Sequence, residues 1–449
     1  MTDFQRDSLG YLCDEYKKNN GFDEQDWTKY DVKRGLRNAN GTGVLSGLTN
    51  ICDVVGYNLV DGQRQACDGQ LIYRGIDVKD IIDAGQREDR YLFEEVMWLL
   101  LFGNLPTAEQ LGMLKNLMAE LRELPEGFAE DMIMKAPSPN VMNKMARSVL
   151  ALYSYDKNAE DYSMENTLYQ CVALISCMPT IMVYAHQVKR RAFDRKSMYI
   201  HLPKPELSLA QNILRTNRKD KHFTEKEARL LDLCLVLHAD HGGGNNSAFA
   251  TRVLTSTATD TYSAIAGAIG SLKGPRHGGA NIKVMEMLDY MKEGIRDYDD
   301  DDEIAAYLSG ILDRKYGDGS GLIYGVGHAV YTKSDPRATI LRTNAKEVAE
   351  ESGFGDDYKL LCAVERLAPN IVVAKRHTPF VCANVDLFSG LVFRSMNIPV
   401  DLFTPMFAVA RMAGWCAHLT EERFFANRLI RPAYKYTGGY RDYVSLEDR

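Results

Sequence analysis

Apolar residues recur at helical spacing along most of this chain. Phe93, Val96, Met97, Leu100 and Leu101 form one face, which stops at Gly103-Asn104-Leu105-Pro106. Thr107-Ala108-Glu109-Gln110 then offers a capping box for a helix carrying Leu111, Leu114, Leu117, Met118 and Leu121. Periodicity predicts further helices over about 140–153, 165–190 and 207–216. Thr224-Glu225-Lys226-Glu227 is a second capping box, opening a helix that runs into His238-Ala239-Asp240-His241. The Ala-, Gly- and Ser-rich run from Thr259 to Ser271 reads as a helix packed closely against others, and 386–418 returns to long apolar periodicity.

Only Val44 to Arg74 reads as β structure. It is short and rich in β-branched residues, with turn signals at Asp61-Gly62 and Asp68-Gly69, which predicts a small hairpin. Residues 1–45 are polar and end in Asn38-Ala39-Asn40-Gly41-Thr42-Gly43, so an arm that is partly helical at most is expected, followed by a turn. Between 280 and 385 the helices are shorter and more highly charged, and the acidic run Asp297 to Glu303 marks the entry. The expected architecture is mostly α: an N-terminal arm (1–45), a large helical domain (46–277 and 386–449) with a short β-hairpin, and a small helical domain (278–385) interrupting it.

The 449 residues, 45% apolar, suffice for a sizeable core. A net charge of −7 argues against general nucleic-acid binding, so an anionic ligand must be held by local clusters of Arg, Lys and His. Nine scattered cysteines without a C-x-x-C pair suggest neither a disulfide framework nor a zinc ribbon, and a reducing cytoplasm is expected. The N-terminus lacks a basic and apolar leader, and the run from Cys171 to Ala185 is shorter than the roughly 20 residues a membrane span needs.

Five stretches carry candidate chemistry. In Gly274-Pro275-Arg276-His277-Gly278-Gly279, Pro275 breaks the preceding helix and the glycines allow close approach, which delivers His277 to the start of the next helix. The positive helix end there disfavours an imidazolium, so a neutral ring could donate to an oxygen gaining charge; a plain turn with a surface histidine is the alternative. His238 and His241 have the spacing of a metal pair on one helix, or of a core or anion-binding pair ahead of Gly242-Gly243-Gly244. Gly325-Val326-Gly327-His328 is a flexible loop with a central histidine. Asp335-Pro336 reads as a helix start, which puts Arg337 in a first turn where the dipole repels it; clamping a carboxylate or phosphate is its better use. Asp386 sits in apolar surroundings that would raise its pKa and make it a base for a carbon-bound proton, or it caps the following helix.

Taken together, His238-Ala-Asp-His241-Gly-Gly-Gly-Asn, Gly274-Pro-Arg-His277-Gly-Gly-Ala-Asn281, Gly325-Val-Gly-His328-Ala-Val-Tyr with Asp335-Pro-Arg337, and Asn384-Val-Asp386 resemble the citrate synthase family. The match runs from Gly69 to Pro432. The resemblance implies a large and a small helical domain, a homodimer, and condensation of acetyl-CoA with oxaloacetate followed by hydrolysis of citryl-CoA, a tricarboxylic acid cycle reaction. By the same resemblance Asp386 is the base, His277 the donor to the thioester oxygen and His328 the acid at the oxaloacetate carbonyl. His241, Arg337 and Arg411 match oxaloacetate ligands, Arg431 an arginine given by the neighbouring subunit, and Ser247 a residue orienting His277. CoA is expected on the loop at Val326, Gly327 and Ala329; Thr332 stands where animal-type members carry an arginine near the CoA phosphates, with Lys333 as its substitute. No metal and no bound organic cofactor is implied. The competing readings are 2-methylcitrate synthase acting on propionyl-CoA, a non-catalytic paralogue binding acyl-CoA or dicarboxylate, and a zinc protein using His238 and His241.

Overall fold

The computed structural model describes residues 2–426 and 428–448. It is a helical protein with one small antiparallel sheet. The chain divides into two compact units, one of residues 1–46, 62–64 and 431–449 and one of 47–61 and 65–430.

In the first unit the arm carries α1 (Asp3–Asn19), opened by a Thr2 capping box, and α2 (Glu24–Lys29), capped by Asp23. Neither helix buries a residue, so capping and charge rather than packing define them. β1 (Cys52–Val60) and β2 (Gln63–Tyr73) pair across Asp61-Gly62, and the two-residue β3 (Ile76–Asp77) adds to β2. The second expected turn, Asp68-Gly69, lies inside β2. Gly69 is small there for another reason: a Cβ on it would stand 2.3 Å from the Ser334 carbonyl oxygen, and one on Gly56 would stand 2.5 Å from that of Val330. The hairpin presses against the stretch that follows His328.

Helices α3 (Val78–Arg87), α4 (Phe93–Phe102) and α5 (Ala108–Glu120) follow; α4 ends on Gly103 at φ 89°, and α5 opens with the expected Thr107/Gln110 box. Next come α6 (Val141–Leu152), α7 (Met164–Ala192), α8 (Leu209–Asn217), α9 (Glu225–His238), α10 (Asn246–Thr255) and α11 (Thr261–Lys273). α7 is long and apolar enough to cross a membrane by composition, yet 83% of its most apolar window is buried in the fold. Beyond α12 (Ala280–Gly294) come α13 (Asp301–Leu312), α14 (Pro336–Glu351), α15 (Gly355–Arg376), α16 (Asp386–Ser395) and α17 (Phe403–Glu421). The acidic run caps α13 through Asp300, whose carboxylate accepts the N–H groups of Asp302 and Glu303.

α17 is the axis of the core. Every residue from Phe403 to Thr420 is buried, and α4, α7, α9, α10 and α11 pack around it. A helix so enclosed has no solvent face for polar groups, so Arg411, Trp415 and His418 must each find a partner inside.

Candidate active site

A backbone clip joins the His328 loop to the Asp386 segment. Gly327 N–H donates to the Cys382 carbonyl (2.8 Å), Asn384 N–H to that of Gly325 (2.9 Å), and Asn384 Nδ2 to that of Gly327 (2.8 Å). Gly325 is obligatory: its φ is +77°, and a Cβ would meet Leu387 Cα at 2.9 Å. Past the clip, His328 Nδ1 accepts the N–H groups of Val330 and Tyr331, both at 3.0 Å. A nitrogen accepting two hydrogen bonds is bare, so the neutral ring carries its proton on Nε2 and is a donor there. Asp386 is the first residue of α16 but does not cap it: Val385 is the N-cap residue, and the Asp386 N–H itself donates to Asn384 Oδ1 at 2.9 Å. Burial pushes its pKa up to about 6, with Arg337 and Arg411 acting against the shift and Asp335 with it. The N-cap alternative is excluded, and the carboxylate is left for chemistry.

Two buried arginines face this clip. The Asp335 carboxylate caps α14 at Arg337 N–H and receives Arg337 Nε (3.0 Å) and Nη2 (2.7 Å), while its Oδ2 also accepts Val385 N–H (3.1 Å). Burial would depress the Arg337 pKa, but Asp335 outweighs it and the guanidinium stays charged. Arg411 is fully buried; its Nε donates to the His238 carbonyl at 2.6 Å, and neither Nη finds a partner among the described residues. Two unsatisfied donors on a buried cation are costly unless an anion meets them. His241 Nε2 is likewise unpartnered. The His241 ring stands edge-on 5.1 Å from His328, and both rings flank Tyr331, with the Arg337 guanidinium 5.6 Å from its centre. Burial first, then Arg337, His328, Arg411 and His277, hold the His241 pKa well below the usual range.

His277 completes the cluster from the α11–α12 turn, where its N–H donates to the Gly274 carbonyl at 2.9 Å. Its Nε2 lies 3.0 Å from Ser247 Oγ, and its ring 6.4 Å from Phe407, which also packs against His238 and Arg411. α12 begins at Ala280, three residues beyond His277, so the helix end is not what neutralises the ring. Burial does, followed by Arg411, and together they bring its pKa down to about 4.

The histidine pair also differs from expectation. α9 ends at His238 and His241 lies outside the helix, so they do not share a face. His238 Nδ1 is 2.8 Å from the Cys234 carbonyl, and burial lowers its pKa to about 3. Val326 and Gly327 are half-buried in the clip, Ala329 and Lys333 are exposed, and Arg431 is exposed in the first unit. Thr332 is buried: its hydroxyl donates to the Gly56 carbonyl and accepts Cys67 N–H at 3.2 Å, so it ties the hairpin to the His328 loop.

Sequence reading named Arg411 but missed Trp415 and His418, which stand behind the cluster on the same face of α17. Arg411, Trp415 and His418 follow at i, i+4 and i+7, one stripe of a helix. Trp415 Nε1 donates to Ser247 Oγ at 3.0 Å. His418 Nε2 donates to Asp240 (3.1 Å), the residue before His241, and its Nδ1 accepts Arg252, which Glu421 and Glu422 hold. Burial alone would raise the Asp240 pKa; His418 and Arg411 instead keep it well below the carboxylate range. Three polar residues at helical spacing in an otherwise apolar run were the available signal.

A family model described as citrate synthase, C-terminal domain, matches residues 38–433. The chain belongs to the citrate synthase family. The citrate synthase of Deinococcus radiodurans is 36% identical over 387 residues, covering 85% of this chain and 93% of that protein. The 2-methylcitrate synthase of Shewanella oneidensis is 32% identical, over 82% and 88%. Among solved structures, the Thermoplasma acidophilum citrate synthase, in ternary complex with carboxymethyl coenzyme A and oxaloacetate, superposes with a TM-score of 0.77 at 26% identity, covering 93% of this chain and 99% of that one. The chain is thus a condensing acyltransferase of this family, and citrate synthase is favoured over its 2-methylcitrate relative.

Proposed function

We propose that this site condenses acetyl-CoA with oxaloacetate and hydrolyses the resulting citryl-CoA to citrate and CoA. The observation that carries the reading is the clustering of Asp386, His277 and His328 with Arg337, Arg411 and His241. Asp386 removes a methyl proton from the thioester, while neutral His277 donates to the thioester oxygen as it becomes an enolate. The enolate carbon attacks the keto carbon of oxaloacetate, and His328 Nε2 gives its proton to the forming alkoxide. Water then cleaves the thioester, releasing the CoA thiol. The dicarboxylate is held by Arg337, Arg411 and His241. No step runs through a metal or an organic cofactor.

Several finer assignments belong to the same reading. Ser247 orients His277. CoA lies along the backbone of Val326, Gly327 and Ala329, with Lys333 near its phosphates. Residues 278–385 close on 46–277 and 386–449 to exclude water. The enzyme is cytoplasmic and a homodimer in which Arg431 completes the neighbouring subunit's oxaloacetate site. Large exposed side chains at the end of α6 and the start of α7, among them Leu150, Tyr155, Met164 and Tyr169, support a partner surface.

The test is free-thiol release by purified protein given oxaloacetate with acetyl-CoA or with propionyl-CoA. Release that requires oxaloacetate and is faster in kcat/KM with acetyl-CoA is expected. Preference for propionyl-CoA would make it a 2-methylcitrate synthase, and no release from folded protein would leave a binding role.

A further inference from the structure

Tyr331 stands among the clustered polar groups, and the condensation proposed above gives it no part. Its ring lies 4.6 Å from that of His328, tilted by 30°, and 5.6 Å from that of His241, with the Arg337 guanidinium 5.6 Å from its centre. The hairpin is cut away to seat it. A Cβ on Gly69 would stand 2.6 Å from Cδ1 of this ring and 2.9 Å from Cε1, and one on Gly56 would stand 2.6 Å from the Tyr331 Cα. The residue is 1% exposed.

Packing alone would be served as well by phenylalanine. The hydroxyl is what needs an account, because it is buried and bonds nothing among the described residues. Tyr73, on the same hairpin and equally enclosed, does what a buried phenol ordinarily does and donates to the Val236 carbonyl at 3.0 Å. A buried hydroxyl without such a partner is costly.

Both Nη atoms of Arg411 and Nε2 of His241 are orphaned in the same way. Arg337, Cys52 and Tyr73 act electrostatically on the Tyr331 hydroxyl and on the Arg411 guanidinium alike, so the two share one neighbourhood. A guanidinium only donates, and burial pushes the Tyr331 pKa up, so the phenol keeps its proton and can donate too. Unpaired donors gathered on one side of a site suit a ligand rich in lone pairs, which a carboxylate is.

We infer that the Tyr331 hydroxyl is a ligand for a carboxylate of the keto dicarboxylate and a determinant of specificity for it. The inference rests on the substrate proposed above. A keto acid without that carboxylate would leave the hydroxyl unpaired, and a site built around such a donor discriminates strongly against it.

Tyr331→Phe removes one oxygen and leaves the ring. The full-length variant and wild type are compared by thermal melts with and without oxaloacetate, by calorimetric titration with oxaloacetate in the absence of thioester, and by thiol release. Without ligand the variant is expected to melt no lower than wild type, since no bond within the protein is lost and a stranded hydroxyl is removed. Its Kd for oxaloacetate is expected to rise about 10-fold or more, as for the loss of one hydrogen bond to a charged group, and the rise in Tm that oxaloacetate produces shrinks with it. In turnover the loss falls on KM for oxaloacetate more than on kcat, and KM for acetyl-CoA stays within about twofold. A variant that is less stable without ligand, or does not fold, overturns the inference, because the hydroxyl then serves the fold. An unchanged Kd for oxaloacetate overturns it as well. Wild type that binds oxaloacetate about 10-fold more tightly than the variant, yet releases no thiol, supports the assignment of Tyr331 and sinks the condensation reading instead.

Discussion

In the proposed mechanism Asp386 carries both the chemistry and a cost. Its pKa of about 6 means that kcat/KM for thiol release should fall as pH drops through about 6, because only the carboxylate can take a proton. The same shift destabilises the fold at higher pH: the folded state holds this proton more tightly than the unfolded chain, so stability is lost as pH rises through about 6. Asp386→Asn should therefore abolish turnover and yet raise stability at pH 8. The gain should be about 1–3 kcal/mol, the lower end allowing for the half-buried carboxylate's contact with solvent, and should vanish near pH 4. Denaturant melts at the two pH values check it, and a gain that persists at pH 4 would exclude this cause. At this scale the sequence exposed His277, His328 and Arg337, because each sits in a short local string with a glycine or proline that explains its setting, and Asp386, because it is a lone carboxylate in an apolar run. Of the partners behind them, Ser247 was legible by resemblance and Trp415 was hidden. Trp415 and Ser247 are 168 residues apart, and an indole in an apolar run reads as core until its N–H is seen to need an acceptor.

Elements were legible where their signal is local. The Thr107 and Thr224 capping boxes and the Asp335-Pro336 start stand where their residue types require. Gly69 misled because small residues serve both for turning and for close approach, and only the neighbour at Ser334 distinguishes the two. This contact between hairpin and loop is testable. Thr332→Val keeps the shape but strands Cys67 N–H, which should cost about 1–3 kcal/mol in unfolding free energy and, by loosening the loop, lower kcat by up to about tenfold. Unchanged melting would remove Thr332 from the tie. Gly325→Ala should be more damaging, since strain at φ +77° adds to a clash with α16; loss of more than about 2 kcal/mol is expected.

For the whole molecule, the proposed donation of Arg431 across a dimer has a sharp signature. Arg431→Ala and Asp386→Ala are each expected to be nearly inactive. Subunits mixed by refolding should regain about a quarter of wild-type turnover, because half of the dimers are mixed and one site in each has both residues. No recovery, with dimers shown by sedimentation, would place Arg431 in its own subunit's site or outside any. The clip at Gly325–Gly327 and Cys382–Asn384 has a consequence of another kind. Together with the bond from Asp335 to Val385, it fastens His328, Asp386 and Arg337 to one another before and after a detour of two helices, α14 and α15. Because the detour leaves and re-enters at the same fastening, the outward faces of these helices can be redecorated, or the turn between them lengthened, without moving the reacting groups. That is where a lineage can try new surfaces while the chemistry stands still.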